Sequence, residues 1–127
     1  MSRNTFFAGE YFITMPNLMI QETISRIEER VGATGLSEEK KMELLSLVAN
    51  LRREVAALAE THIEDAHSIA AFAETSVREA TRAEKNPELL EMSVGAMKLS
   101  AQRFEISHPT LIGLINAIGQ TLWKIGI

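Results

Sequence analysis

Residues 37–60 read SEEKKMELLSLVANLRREVAALAE, and this stretch decides the fold class. Ser37 is a favourable residue for capping a helix N-terminus, and the two glutamates after it favour the positive end of the helix dipole. Apolar side chains then recur at spacings of three and four, which places them on one face of a helix. They are Leu44, Leu45, Val48, Leu51, Val55 and Leu58. The stretch therefore predicts an amphipathic helix that packs against other helices.

The apolar stripe continues beyond residue 60, and neither glycine nor proline occurs between residue 37 and Pro87. Its later members are smaller, namely Ile63, Ala66, Ile69, Ala70, Ala73, Val77 and Ala80. One uninterrupted helix over residues 38–84 would be roughly 70 Å long, about twice the width of a small domain. Residues 61–64 (THIE) have the form of a capping box. Residues 38–84 are therefore predicted to form one long helix, or a helix pair broken near residue 60.

Three further helices are predicted, at about residues 16–31, 87–107 and 109–125. Pro16–Asn17 begins the first, and the glycines of the GATG sequence at 32–35 favour a left-handed cap at its end. Asn86 followed by Pro87 begins the next helix, and Pro109 separates it from the last one. Each helix carries an apolar stripe that is typical of a core. The sequence predicts an all-α bundle of about four helices, packed antiparallel or as a coiled coil.

Residues 1–15 differ from the rest of the chain. They hold three of the five phenylalanines and the only tyrosine, and their apolar residues lack helical periodicity. They are either an extension that does not belong to the native protein, or an aromatic arm that packs on the bundle or on a neighbouring subunit. The predicted organisation is an N-terminal aromatic arm or extension at 1–15, followed by one helical-bundle domain at 16–127.

Composition excludes several classes of protein. The 127 residues include 17 acidic and 13 basic side chains, for a net charge of −4, so nucleic acid is not an expected partner. No apolar run approaches the roughly 20 residues that span a bilayer, so a membrane is not an expected partner either. The absence of cysteine rules out disulfides and thiolate chemistry, and it fits the reducing cytoplasm, which is the predicted location.

Four segments carry a likeness to a known family: LSEEKK at 36–41, EATR at 79–82, NPELL at 86–90 and, most specific, the tail from RFEISHPTL at 103–111 to residue 127. From about Met19 onward the chain resembles a bacterial family of small helical proteins known only as a domain of unknown function, numbered 4404. The resemblance implies a helical fold and a bacterial cytoplasmic setting. It implies no activity, substrate or catalytic residue.

Two Glu-x-x-His tetrads are the sharpest chemical pattern, Glu64 with His67 and Glu105 with His108. In ferritin-like bundles, two such tetrads and a glutamate from each of two further helices hold two metal ions. The tetrads therefore favour a metal-binding bundle as the alternative function. Against it, His108 precedes Pro109 and more naturally caps the next helix, and a glutamate-rich chain produces such tetrads by chance. We expect no metal and no cofactor.

Hydrolytic or phosphate chemistry finds no support in the sequence. Asp65 is the only aspartate, no Gly-x-Ser-x-Gly motif accompanies it, and no glycine loop that could hold a phosphate occurs. The sequence therefore predicts no catalytic and no cofactor-binding residues, and the protein is not expected to be an enzyme.

The last helix is the predicted interaction site, because its apolar residues cover more than one face. A helix of this kind is either fully buried or shared with a partner, and tryptophan is enriched at interfaces. The predicted interface residues are Leu111, Ile115, Ile118, Leu122, Trp123 and Ile125. Alternatively, Trp123 lies at the rim of the chain's own core. The sequence favours a non-enzymatic protein that associates through helices, most simply as a two-fold homodimer or else with another protein.

Overall fold

The structure is a computed structural model that describes the backbone of residues 2–127 and the side chains of residues 17–127. Its elements are α1 (Ser2–Gly32), α2 (Glu38–Ala59), α3 (Ile63–Thr81), α4 (Pro87–Ala101), a short 3₁₀ helix (Gln102–Phe104) and α5 (Pro109–Gly126). No strand occurs over this range, which confirms the all-α class. The described backbone forms five α-helices rather than about four, because residues 38–84 form two helices and not one.

The break between α2 and α3 falls at residues 60–62, so the helix pair is the correct one of the two predicted alternatives. The backbone N–H of His62 donates to the carbonyl of Leu58 at 2.8 Å, which closes the last turn of α2. His62 rather than Thr61 occupies the N-cap position of α3, and its side chain makes no capping hydrogen bond. The Thr61 hydroxyl lies 2.8 Å from the His62 ring nitrogen Nδ1. The capping-box pattern therefore gave the right place but not the right capping residue.

The first helix begins at Ser2, so the predicted start at Pro16–Asn17 is wrong and these two residues lie inside α1. The sequence favoured that start because proline inside a helix removes a backbone hydrogen bond. The predicted end at Gly32 is confirmed. No glycine in the described part has a positive φ, however, and the Thr34 hydroxyl donates instead to the carbonyl of Val31 at 2.7 Å. The predicted aromatic arm at 1–15 concerns side chains that lie outside the described range of 17–127.

Helix α4 ends at Ala101, six residues before the predicted end at residue 107. The chain tightens there into the 3₁₀ helix and then turns over residues 105–107. Phe104 is buried, and its carbonyl accepts a hydrogen bond of 2.7 Å from the backbone N–H of His108. The sequence did not indicate this early end, because Pro109 is the only strong helix breaker after Pro87.

Helix α3 lies at the centre and contacts all four other α-helices. The helices α1, α3 and α4 form one layer, and α2 and α5 form a second. In that second layer α2 lies against α1 and α3, whereas α5 lies against α3 and α4. The buried residues of α3 are mostly small, which lets four neighbours approach it closely. The apolar stripes predicted from the sequence form this core, with Leu44, Val48, Leu51, Val55 and Leu58 all buried.

Two arginines tie α1 to its neighbours. Arg52 of α2 donates to Gln21 Oε1 and to Glu28 Oε1, both at 2.6 Å. Arg26 of α1 donates to Glu74 of α3 at 2.8 Å. The hydrogen bond and the charge of Glu74 raise the pKa of the Arg26 guanidinium, so this group stays charged at any pH near neutrality.

Candidate functional site

Within one chain, the structure does not bring the described side chains of the two Glu-x-x-His tetrads together as a metal site. Among the side chains of residues 17–127, no group of three or more His, Asp or Glu residues is placed to hold a metal ion. Glu105 lies in the turn before α5 rather than on a helix, and both Glu64 and Glu105 are exposed. The i,i+3 spacing brings a carboxylate and an imidazole to one face only inside a helix, and the second tetrad is not helical.

The neighbourhood of the tetrads is filled by other contacts. The guanidinium of Arg103 pairs with the carboxylate of Asp65, next to Glu64, and so places a fixed positive charge there. The Phe104 ring packs edge-on against the rings of His62 at 4.9 Å and His108 at 6.0 Å. His108 also occupies the N-cap position of α5, where its side chain makes no capping hydrogen bond. These contacts are structural, and they close one end of the bundle.

Most of the predicted interface residues on α5 lie inside the chain's own core. Leu111, Ile115, Ile118 and Leu122 are buried, and Ile125 packs partly buried against them. Helix α5 lies against α2, α3 and α4, and this arrangement uses up its wide apolar arc within one chain. Trp123 differs, because 41% of its surface is exposed. Trp123 is therefore the predicted interface residue that keeps a large exposed surface.

A groove runs between α4 and α5 beside Trp123. One cavity of about 460 Å³ is lined by Glu91, Val94, Gly95, Lys98, Gly119, Gln120 and Trp123. A second of about 430 Å³ shares Gly95 and Lys98 and continues to Leu99, Gln102, Glu105, Ile112, Ile115 and Asn116. The two cavities adjoin at Gly95 and Lys98, and we call them together the α4–α5 groove.

Gly119 sets the depth of this groove. A Cβ atom at residue 119 would lie 2.9 Å from Val94 Cγ1 and 3.3 Å from Lys98 Cε. The absence of a side chain at residue 119 therefore lets α5 approach α4 closely, and no Cβ atom fills the bottom of the groove.

Next to the groove, the solvent-facing side of α4 carries exposed apolar side chains. Met92 is 69% exposed and Leu99 is 71% exposed, and the two lie two helical turns apart on one face. Gly95 and Ala96 lie between them. We call these four residues the α4 outer face. The sequence does contain a signal for it, because Met92 and Leu99 form a second stripe at a spacing of seven, offset from the core stripe of Leu90, Val94 and Met97.

Two opposite charges flank the α4 outer face. Glu91 and Lys98 are both exposed, and both line the α4–α5 groove. Within residues 17–127, neither of them forms an ion pair with another side chain. An open groove with exposed apolar walls and two unpaired opposite charges is suited to binding a helix.

No helix among the described residues is long and apolar enough to cross a bilayer. The fold and the groove together define a small all-α domain with an open groove between its last two α-helices. The sequence profile of the family described as Domain of unknown function (DUF4404) matches residues 41–127, so the chain belongs to this family. The match confirms the resemblance over a range that takes in nearly all of α2 and the whole of α3, α4 and α5. No curated protein and no solved structure matches the chain.

Proposed function

We propose that this chain is a non-enzymatic bacterial protein of the cytoplasm that works by helix-mediated association. Its partner is a second copy of itself, in a two-fold homodimer. The contact surface is the α4–α5 groove together with the α4 outer face. The observation that carries the proposal is the exposure of Met92 and Leu99 on α4 and of Trp123 on α5.

Exposure of these three side chains to water is unfavourable in an isolated chain. Full burial of a fully exposed apolar side chain contributes about 1.5–3 kcal/mol, and burial of the exposed part of each of these three contributes a share of that. Tryptophan in particular is enriched among the residues that dominate binding energy. A groove next to Trp123 gives a partner side chain a place to insert. The surface thus has both the apolar anchor and the cavity that a helix interface uses.

Symmetry favours self-association over the binding of a different protein. Most soluble oligomers are homo-oligomers, and two-fold dimers are the commonest among them. A two-fold interface uses the same surface on both copies, so that surface needs complementary parts of its own. The α4–α5 surface has them, because it offers projecting apolar side chains next to a groove and two charges of opposite sign.

Sedimentation equilibrium of the untagged full chain tests the proposal, and we expect a dimer. Met92→Glu should give a monomer with unchanged helicity by circular dichroism. The matched control is Met42→Glu on α2, because both methionines are 69% exposed and only Met92 belongs to the proposed surface. A monomeric native chain would overturn the proposal, and so would a Met92→Glu chain that dimerises as strongly as the Met42→Glu chain.

Native mass spectrometry of protein purified without chelators tests the metal-binding alternative at the same time. Bound ions would add the mass of one or two metals per chain, as a ferritin-like site requires. We expect the mass of two chains alone.

A further inference from the structure

We infer that α4 pairs with α4 of the second copy in an antiparallel arrangement, about a two-fold axis that passes beside Gly95. This inference rests on the proposed function, since it specifies how the two copies meet. It follows from the positions of charged and apolar residues around Gly95 on a surface that one chain leaves open.

The residues around Gly95 form two matched layers. One helical turn before it lie Glu91 and Met92, and one turn after it lie Lys98 and Leu99. At about 100° per residue, Glu91 and Lys98 fall on one side of a line through Gly95 along the helix. Met92 and Leu99 fall on the other side. The charged side is the one that faces α5, because both charged residues line the cavity beside Trp123 of α5, and neither Met92 nor Leu99 does.

A two-fold axis that relates antiparallel helices brings the layer before Gly95 onto the layer after it in the second copy. It also keeps each side of the helix on the same side of the pair. Glu91 then lies opposite Lys98 of the second copy, and Met92 lies opposite Leu99 of the second copy. Each contact occurs twice, so the interface contains two pairs of opposite charges and two apolar pairs.

Parallel pairing about an axis along the helices does not give these contacts. It keeps the layers in register but exchanges the two sides, so that Glu91 would face Met92 of the second copy. Lys98 would likewise face Leu99, and no charge would meet its opposite. The charge pattern therefore selects the antiparallel arrangement.

Gly95 allows the two helices to approach closely at the centre. A Cβ atom at residue 95 would have no heavy atom within 4 Å, so the glycine is not required by packing inside one chain. In the interior of an exposed helix, glycine is also unfavourable by comparison with alanine. Its place at the midpoint of the two layers is explained if another helix crosses there. Because α5 lies on the charged side, the same axis places both α5 helices on one side of the α4 pair.

Charge reversal tests the inference. A Lys98→Glu chain carries acidic side chains at both positions, and a Glu91→Lys chain carries basic ones. Each variant alone should dimerise about tenfold or more weakly than the native chain, because both pairs become repulsive. A one-to-one mixture of the two variants should regain native affinity, since every acidic position then faces a basic one. Sedimentation equilibrium at low salt measures all three samples.

The outcomes separate this inference from the proposed function. A native dimer with weakened single variants and a restored mixture supports both. A native dimer whose affinity the single variants do not change overturns the antiparallel α4 pairing and leaves the association standing. Weakened variants whose mixture stays monomeric also overturn the pairing. A monomeric native chain overturns both.

A steric test compares Gly95 on α4 with Gly113 on α5. Both glycines lie on exposed helix surfaces, and a Cβ atom added at either one would meet no heavy atom within 4 Å. Gly95→Leu should keep the fold and abolish the dimer, because the leucines of two copies would collide at the axis. Gly113→Leu should keep both the fold and the dimer. Equal dimer affinity for the two variants would contradict close approach at Gly95.

Discussion

Gly126 at the end of α5 lies directly against Ala80 of α3. A Cβ atom at residue 126 would lie 3.2 Å from the Cα atom of Ala80 and would also meet the side chain of Leu90. A backbone atom cannot rotate away as a side chain can, so this contact fixes how closely the end of α5 approaches the central helix. Close packing therefore requires glycine at residue 126. Backbone conformation does not require it, since no described glycine has a positive φ.

Gly126→Ala should destabilise the fold by about 1–3 kcal/mol, because the new methyl group overpacks a contact with backbone. The control is Gly113→Ala, where an added Cβ meets nothing within 4 Å and the gain in helix propensity should stabilise the chain by up to about 1 kcal/mol. Urea unfolding followed by circular dichroism measures both variants. Shifts of the same sign would show that the Ala80 contact does not limit packing.

Substitution of the neighbouring residues Leu122 and Trp123 of α5 should affect different properties, folding stability for the first and dimerisation for the second. Leu122 is fully buried, so Leu122→Ala should cost about 2–5 kcal/mol of folding stability. Trp123→Ala should cost much less stability, because the side chain is partly exposed, but it should weaken dimerisation. Thermal unfolding and sedimentation equilibrium of both variants separate the two effects. A Trp123→Ala chain that is as unstable as Leu122→Ala would place Trp123 in the core rather than at an interface.

Arg52 should contribute to stability through its contacts with α1. Its guanidinium donates to Gln21 and Glu28 on the neighbouring helix, whereas the next residue, Arg53, bonds Asn50 on its own helix. Arg52→Ala should therefore cost about 1 kcal/mol, and Arg53→Ala close to nothing. The two substitutions change helix propensity equally, so the difference between their urea midpoints reports the contact between helices. Equal midpoints would remove Arg52 as a tie between α1 and α2.

Asn86 should stabilise the start of α4. Its side-chain oxygen accepts a hydrogen bond of 3.1 Å from the backbone N–H of Leu89, as an N-cap residue does. Asn86→Ala should lower the free energy of unfolding by about 1 kcal/mol, and Asn86→Asp should retain it because aspartate also caps well. Chemical unfolding of the three chains checks this, and an alanine variant as stable as the aspartate variant would contradict it.

The core of this bundle was predictable because every helix except α1 begins at a clear sequence signal and carries a periodic apolar stripe. Ser37 and Asn86 cap their helices as expected, each accepting a hydrogen bond from a backbone N–H three residues later. The break at residues 60–62 was also indicated. The end of α4 was not, since it depends on the burial of Phe104, which is a tertiary contact and leaves no local pattern.

The candidate site was only partly predictable. The wide apolar arc of α5 indicated either burial or a partner, and sequence alone does not say which helices lie around it. The structure shows α2, α3 and α4 there, so Leu111, Ile115 and their neighbours belong to the core. Met92 and Leu99 gave a weaker signal, because two exposed apolar residues on a helix are common and gain meaning only next to a groove.

The central position of α3 also determines which part of the chain opens last. Amide protons exchange with solvent where a helix detaches locally, and helices at the edge of a fold detach at lower free energy than those surrounded on all sides. Only α3 touches every other α-helix of the described chain, so α1 or α4 can separate while α3 stays covered. The amides of Ile69, Ala73 and Val77 should therefore be the slowest to take up deuterium, and their exchange should report the unfolding of the whole domain.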